Sequence, residues 1–82
     1  MHRAKLFGKR GCQMCADAKA LLDASGIAFE YYDIESYDGM AEFSFVGWSD
    51  LLPALIWPDK RPVYGAAVGL RLPAFIDQAK NL

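Results

Sequence analysis

The chain is poor in several things, and each shortage narrows what it can be. It holds only two cysteines and one histidine in 82 residues. A closed zinc site needs four ligands, drawn mostly from those two residue types. The lone His2 reads as a solvated residue near the start of the chain. No apolar run approaches the roughly 18 residues that span a bilayer. Leu6-Phe7, after the basic Met1–Lys5, is too short for a signal-peptide core. Repeats, low-complexity tracts and linkers are missing, so residues 1–82 are expected to form a single domain. There is no phosphate-binding loop, paired-carboxylate constellation or Ser–His arrangement. A net charge of −1 offers no general affinity for nucleic acid. The expected protein is a cytoplasmic monomer with no tightly bound cofactor and no nucleic-acid or membrane partner.

The charge that is present is unevenly spread. Arg3, Lys5, Lys9 and Arg10 make the first ten residues basic, while Glu30, Asp33, Glu35, Asp38, Glu42 and Asp50 fill a later stretch that has no base. Most of these residues read as solvated surface. The basic end leads directly into Cys12 and Cys15.

Hydrophobic periodicity supplies the order of elements. Residues 3–7 read as a strand, followed by a loop bracketed by Gly8 and Gly11. Cys15, Ala18, Leu21 and Leu22 then fall on one helical face, so the spacing predicts a helix from Cys12 or Gln13 to Ser25. Gly26 suits its left-handed C-terminal position, with Ile27 as the accompanying apolar contact. Ala28–Ile34 is rich in aromatic residues and reads as a second strand, parallel to the first because a helix joins them. Successive side chains of a strand face opposite sides, so of Tyr31 and Tyr32 one is expected to pack and the other to be solvated. A short helix follows between Asp38 and Trp48, with Asp38 as its cap. Phe43 and Phe45 cannot share a face of it, so one should be exposed. Pro53–Trp57 reads as a third strand, Pro58-Asp59-Lys60 as a turn, and Arg61–Tyr64 as a fourth strand. Pro62 cannot donate to a ladder, which puts that strand at an edge. Leu72, Phe75, Ile76 and Ala79 mark a final helix with Pro73 in its first turn. The order β-α-β-α-β-β-α implies an α/β fold with a mixed four-stranded sheet and helices on both faces.

The chemistry concentrates where the first strand ends and the first helix begins. Free N–H groups and the positive end of the helix dipole stabilise a thiolate at Cys12, and Lys9 and Arg10 add positive charge. Cys15, one turn further on and on the apolar face, is expected to be more buried. Such asymmetry suits a redox pair in which Cys12 attacks a disulfide and Cys15 releases the product. Two alternatives use the same residues: a two-thiolate clamp for a soft metal such as copper or zinc, and a pair of ordinary buried small side chains.

The stretches "LFGKRGCQMC", "LLPALIW" and "VYG" resemble the glutaredoxin branch of the thioredoxin superfamily over nearly the whole chain. The resemblance implies a thioredoxin-like fold and thiol–disulfide oxidoreductase activity, with Cys12 as nucleophile and Cys15 as resolving thiol. It implies a cis peptide bond at Pro53, with the Leu52 backbone offered to an extended disulfide-containing protein substrate. Lys9 stands where the family often places a base that contacts a glutathione carboxylate. Arg10, Gln13, Met14 and Gly65 complete the substrate-binding set. Three departures qualify the resemblance. Gln13-Met14 replaces the Pro-Tyr common between the cysteines. Ala66 stands where a second glycine is usual. No acid follows until Asp77, where the family has an Asp for the glutathione amino group. The expected electron donor is therefore glutathione or a thioredoxin-type reductase. The copper-chaperone reading is weakened by Arg10, which stands where those proteins usually carry Met. An iron–sulfur cluster shared between two copies is weakened by the incomplete glutathione signature. Trp48 and Trp57 are candidates for an apolar platform, Trp57 more readily as part of the core.

Overall fold

A computed structural model describes residues 3–47 and 49–81. His2 and Trp48, and the roles expected of them, lie outside the described residues. The elements are β1 (Ala4–Gly8), α1 (Gln13–Ser25), β2 (Phe29–Asp33), α2 (Tyr37–Val46), β3 (Ala54–Ile56), β4 (Val63–Tyr64) and α3 (Ala66–Lys80). The sheet order is β2-β1-β3-β4. β1 runs parallel to β2, and β3 is antiparallel to both β1 and β4. The edge position expected of the fourth strand holds, with Pro62 just outside it.

Alternation along the two central strands divides the core between the faces. Leu6 of β1, Leu55 of β3 and Val63 of β4 pack with Ala18 and Leu22 of α1 and with Val68, Leu72, Phe75 and Ile76 of α3. Phe7 of β1 and Ala54 of β3 turn to the other face and pack with Phe43 of α2. The Phe7 ring stacks on Tyr32 at 5.2 Å and meets Phe43 at 5.0 Å. Phe43 is fully buried and Phe45, two residues on, is exposed, as helical geometry requires. Trp57 joins the core side, its ring 5.4 Å from Phe75. Among the described residues, no helix is long and apolar enough to cross a membrane.

Four expectations need correction. Ser36, not Asp38, caps α2: its Oγ accepts from the Gly39 N–H, and Asp38 sits inside the first turn, where it complements the dipole. The final helix begins at Ala66, because Val68 continues the Leu72–Phe75–Ile76 stripe one turn upstream. Pro73 therefore lies inside α3, where it leaves the Gly69 carbonyl without its usual helical donor. Tyr31 and Tyr32 are both half-buried, one on each face. The Tyr32 hydroxyl donates to Glu30 at 2.7 Å, and that bond, ahead of burial, pushes its pKa up to about 12.

The ends of α1 matter most for the site. Gly26 closes the helix at φ 76°, a left-handed conformation that glycine takes without steric cost, and Ile27 behind it packs on the core. The other end opens on Cys12.

Candidate active site

Cys12 is the N-cap of α1. Its backbone is extended, and its Sγ accepts a hydrogen bond from the Cys15 N–H at 3.1 Å. This is the place usually taken by a serine or aspartate oxygen, and here a sulfur satisfies one of the helix's free donors. The first turn of α1 holds no acidic residue to neutralise its positive end. Asp17 lies further in and accepts from Gln13 Nε2 at 2.7 Å.

The two cysteines differ sharply in exposure. Cys12 is half-buried, whereas Cys15 is 1% exposed. They are joined as a disulfide with their Cα atoms 5.2 Å apart, within the ordinary range for such a bridge. Cys15 packs with Phe7, Phe43, Leu52 and Ala54, and Cys12 borders the same apolar cluster.

Other expected site residues converge on the pair from the far side of the chain. The Leu52–Pro53 peptide is cis, and Pro53 is buried. The Gly65 N–H donates to the Pro53 carbonyl at 2.8 Å, which ties the start of α3 to this loop. Met14 and Pro53 line a groove of about 280 Å³ between α1 and α3, whose mostly apolar wall also includes Asp17, Leu21, Ala66 and Gly69. Met14 and Gln13 are exposed beside the cysteines. Lys9 and Arg10 are also exposed, and their side chains make no ion pair with the described residues. They add charge to the loop before Cys12.

Gly8, read from sequence only as a loop boundary, is part of the site. A Cβ there would lie 2.9 Å from Cys15 Cβ, 3.2 Å from Cys15 Sγ and 2.6 Å from the Tyr31 hydroxyl. Only a residue without a side chain lets α1 settle this close to β1. The signal available in the sequence was the glycine four positions before Cys12, at the end of a strand.

The glutaredoxin family model matches residues 4–50. The chain belongs to the glutaredoxin family. Two solved structures are similar to this glutaredoxin. One is the glutaredoxin-like NrdH-redoxin from Escherichia coli, described as having a thioredoxin-like activity profile. It is 20% identical, with a TM-score of 0.63, 83% of this chain covered and 92% of the other. The second is a mutant of the thioredoxin-like protein BC3987, 21% identical, with a TM-score of 0.65, 93% of this chain covered and 99% of the other. Both likenesses bear on the fold, which is thioredoxin-like. Among curated protein sequences none matches. Family membership supports a thiol–disulfide oxidoreductase-like role for this glutaredoxin. Among the described residues no cluster of three or more His, Cys, Asp or Glu is disposed to hold a metal ion.

Proposed function

We propose that the protein is a dithiol electron carrier that reduces disulfides through Cys12 and Cys15. The observation that carries this reading is the difference between the two sulfurs: one caps a helix at the surface, and the other lies beneath it at 1% exposure. A Cys12 thiolate gains the Cys15 N–H and the unneutralised helix dipole, so it is present at neutral pH and reaches a substrate first. It attacks one sulfur of the substrate disulfide, forming a mixed disulfide and expelling the other sulfur as a thiolate. Cys15 then loses its proton and attacks Cys12 Sγ. The Cys12–substrate bond breaks, the Cys12–Cys15 bond forms, and two electrons have passed to the substrate.

Placement supports the substrate-binding roles. The buried Leu52–Pro53 segment lies against the cluster that holds Cys15, so the Leu52 backbone can receive an extended substrate segment as an added strand. Met14 and the groove beside it accept an apolar side chain, and Lys9 and Arg10 draw substrates of opposite charge.

The electron donor is better read as a thioredoxin-type reductase than as glutathione. The first turn of α3, which follows Gly65, carries no acid. A helix N-terminus without a carboxylate repels the ammonium of glutathione. The thioredoxin-like activity profile described for NrdH-redoxin, a similar fold, agrees with this reading.

Cys15→Ser provides the test. The variant should still attack a disulfide but should stop at the mixed species, so that mass spectrometry finds nearly all of the protein joined to substrate after one turnover. Rapid release of product by Cys15→Ser, at the wild-type rate, would remove the resolving role.

A further inference from the structure

Cys15 poses a problem that the dithiol reading leaves open. To resolve a mixed disulfide it must become a thiolate, yet it sits at 1% exposure among Phe7, Phe43, Leu52 and Ala54. Burial in apolar surroundings disfavours the charged form of a thiol. Some polar group has to compensate.

The register of the sheet brings one there. Leu6 of β1 stands opposite Tyr31 of β2, and Gly8 is two residues further along β1 on the same face. Tyr31 leans along that face, and its hydroxyl ends 2.6 Å from where a Gly8 Cβ would be. Cys15 Sγ lies 3.2 Å from the same point. The phenol oxygen and the sulfur thus border the same Gly8 notch, the space left by the missing side chain, which is too small for a methyl group. The Tyr31 ring is held in place by the α1–α3 core, with Lys19 Nζ 5.6 Å from its centroid.

We infer that the Tyr31 hydroxyl is a positioning residue for resolution, donating a hydrogen bond across the Gly8 notch to the Cys15 thiolate. The inference rests on the dithiol reading of the cysteines. Donation to an ionised sulfur is among the stronger hydrogen bonds a buried site can supply. The phenol keeps its proton throughout: burial first, and then the Asp33 carboxylate, raise its pKa above the usual value, with Lys19 opposing. Tyr31 is therefore a donor and not the base. The Cys15 proton leaves to solvent, and the electron pair on sulfur goes into the new bond with Cys12. The other titratable groups packed around Cys15 and Tyr31 are Cys12 and Lys19 on α1, Tyr32 and Asp33 on β2, and Tyr64 on β4. β1 presents Gly8 and apolar side chains to Cys15 and Tyr31, and its Lys5 lies over the Tyr32 ring on the other face, 5.9 Å from the centroid.

The test is a single-turnover reaction of the reduced protein with a peptide disulfide, quenched with acid and resolved by mass spectrometry between pH 6 and 9. Wild type, Tyr31→Phe and Cys15→Ser are compared. Tyr31→Phe should accumulate the mixed disulfide, resolving it about tenfold more slowly at neutral pH, with the pH midpoint of resolution raised by about one unit. Resolution by Tyr31→Phe at the wild-type rate and midpoint would overturn the inference, as would a slower rate with an unmoved midpoint, which marks a packing effect alone. In both cases the dithiol reading stands if Cys15→Ser remains trapped. If Cys15→Ser releases product normally, that reading falls and the inference with it. A measurement on the unaltered sequence guards against a variant that does not fold. The Tyr31 ¹³Cζ resonance of the reduced protein should move at the Cys15 midpoint, and a signal flat through that midpoint would refute the inferred hydrogen bond.

Discussion

Cys12→Ser is expected to lower disulfide reduction by on the order of a thousandfold or more, to the level of uncatalysed exchange. The thiolate is the attacking species, and a serine hydroxyl at the same N-cap position ionises far too weakly to replace it. The hydroxyl still accepts from the Cys15 N–H, so α1 keeps its cap and the protein keeps its fold. Turnover and stability therefore separate in this variant. Insulin or a small disulfide serves as substrate, and a thermal or urea melt is recorded on the same preparation. Near-normal turnover by folded Cys12→Ser would place the nucleophile elsewhere.

Phe43→Ala should cost about 3–5 kcal/mol of folding stability. Phe43 is fully buried and packs its ring on Phe7 within the cluster that also holds Cys15 and Leu52. It is the one buried large side chain that α2 contributes. Truncation leaves a cavity that neither β1 nor β3 can collapse to fill. A domain of this size has roughly 4–12 kcal/mol in total, so the loss is a large part of it. Other attachments of α2 are weak by comparison. The Lys5–Glu42 pair, at 3.0 Å, is partly exposed and contributes less than about 1 kcal/mol. Urea unfolding followed by tyrosine and tryptophan fluorescence measures the change. A loss below about 1 kcal/mol would mean that α2 is held by something other than this ring.

Much of the fold was legible because local signals agreed. The stripe through Cys15, Ala18, Leu21 and Leu22 and the glycine at position 26 bounded α1 to within a residue of its observed ends, although Leu21 lies at the rim of that face and is 41% exposed. The strands around it declared the parallel pairing, and Pro62 marked the edge. The start of α3 was hidden for a physical reason. Ala66–Leu70 contains Gly69 and follows a strand directly, and Pro73 reads as a first-turn residue, yet Val68 buries fully and draws one more turn into the helix. The cap of α2, expected at Asp38, falls two residues earlier at Ser36. The Ser36 hydroxyl accepts from the Gly39 N–H, while the buried Gly39 approaches the Asp33 carbonyl too closely for any side chain.

The site was legible in part. The pairing of Cys12 with Cys15, and its placement at a helix start, follow from spacing and periodicity. The cis bond at Pro53 rested on the family resemblance and is present. Tyr31 could not be found in this way. Its approach to Cys15 depends on the register of β1 against β2 and on the absence of a side chain at Gly8, and neither leaves a pattern along the chain.

The redox role depends on one asymmetry, between a half-buried, helix-capping Cys12 and a fully buried Cys15. Alkylation of the reduced protein by iodoacetamide at pH 7, with peptide mapping of the adduct at early times, measures it directly. Modification should fall almost wholly on Cys12, at a rate that stays high well below the usual thiol pKa of about 8.5. Equal labelling of the two cysteines, or faster labelling of Cys15, would contradict it.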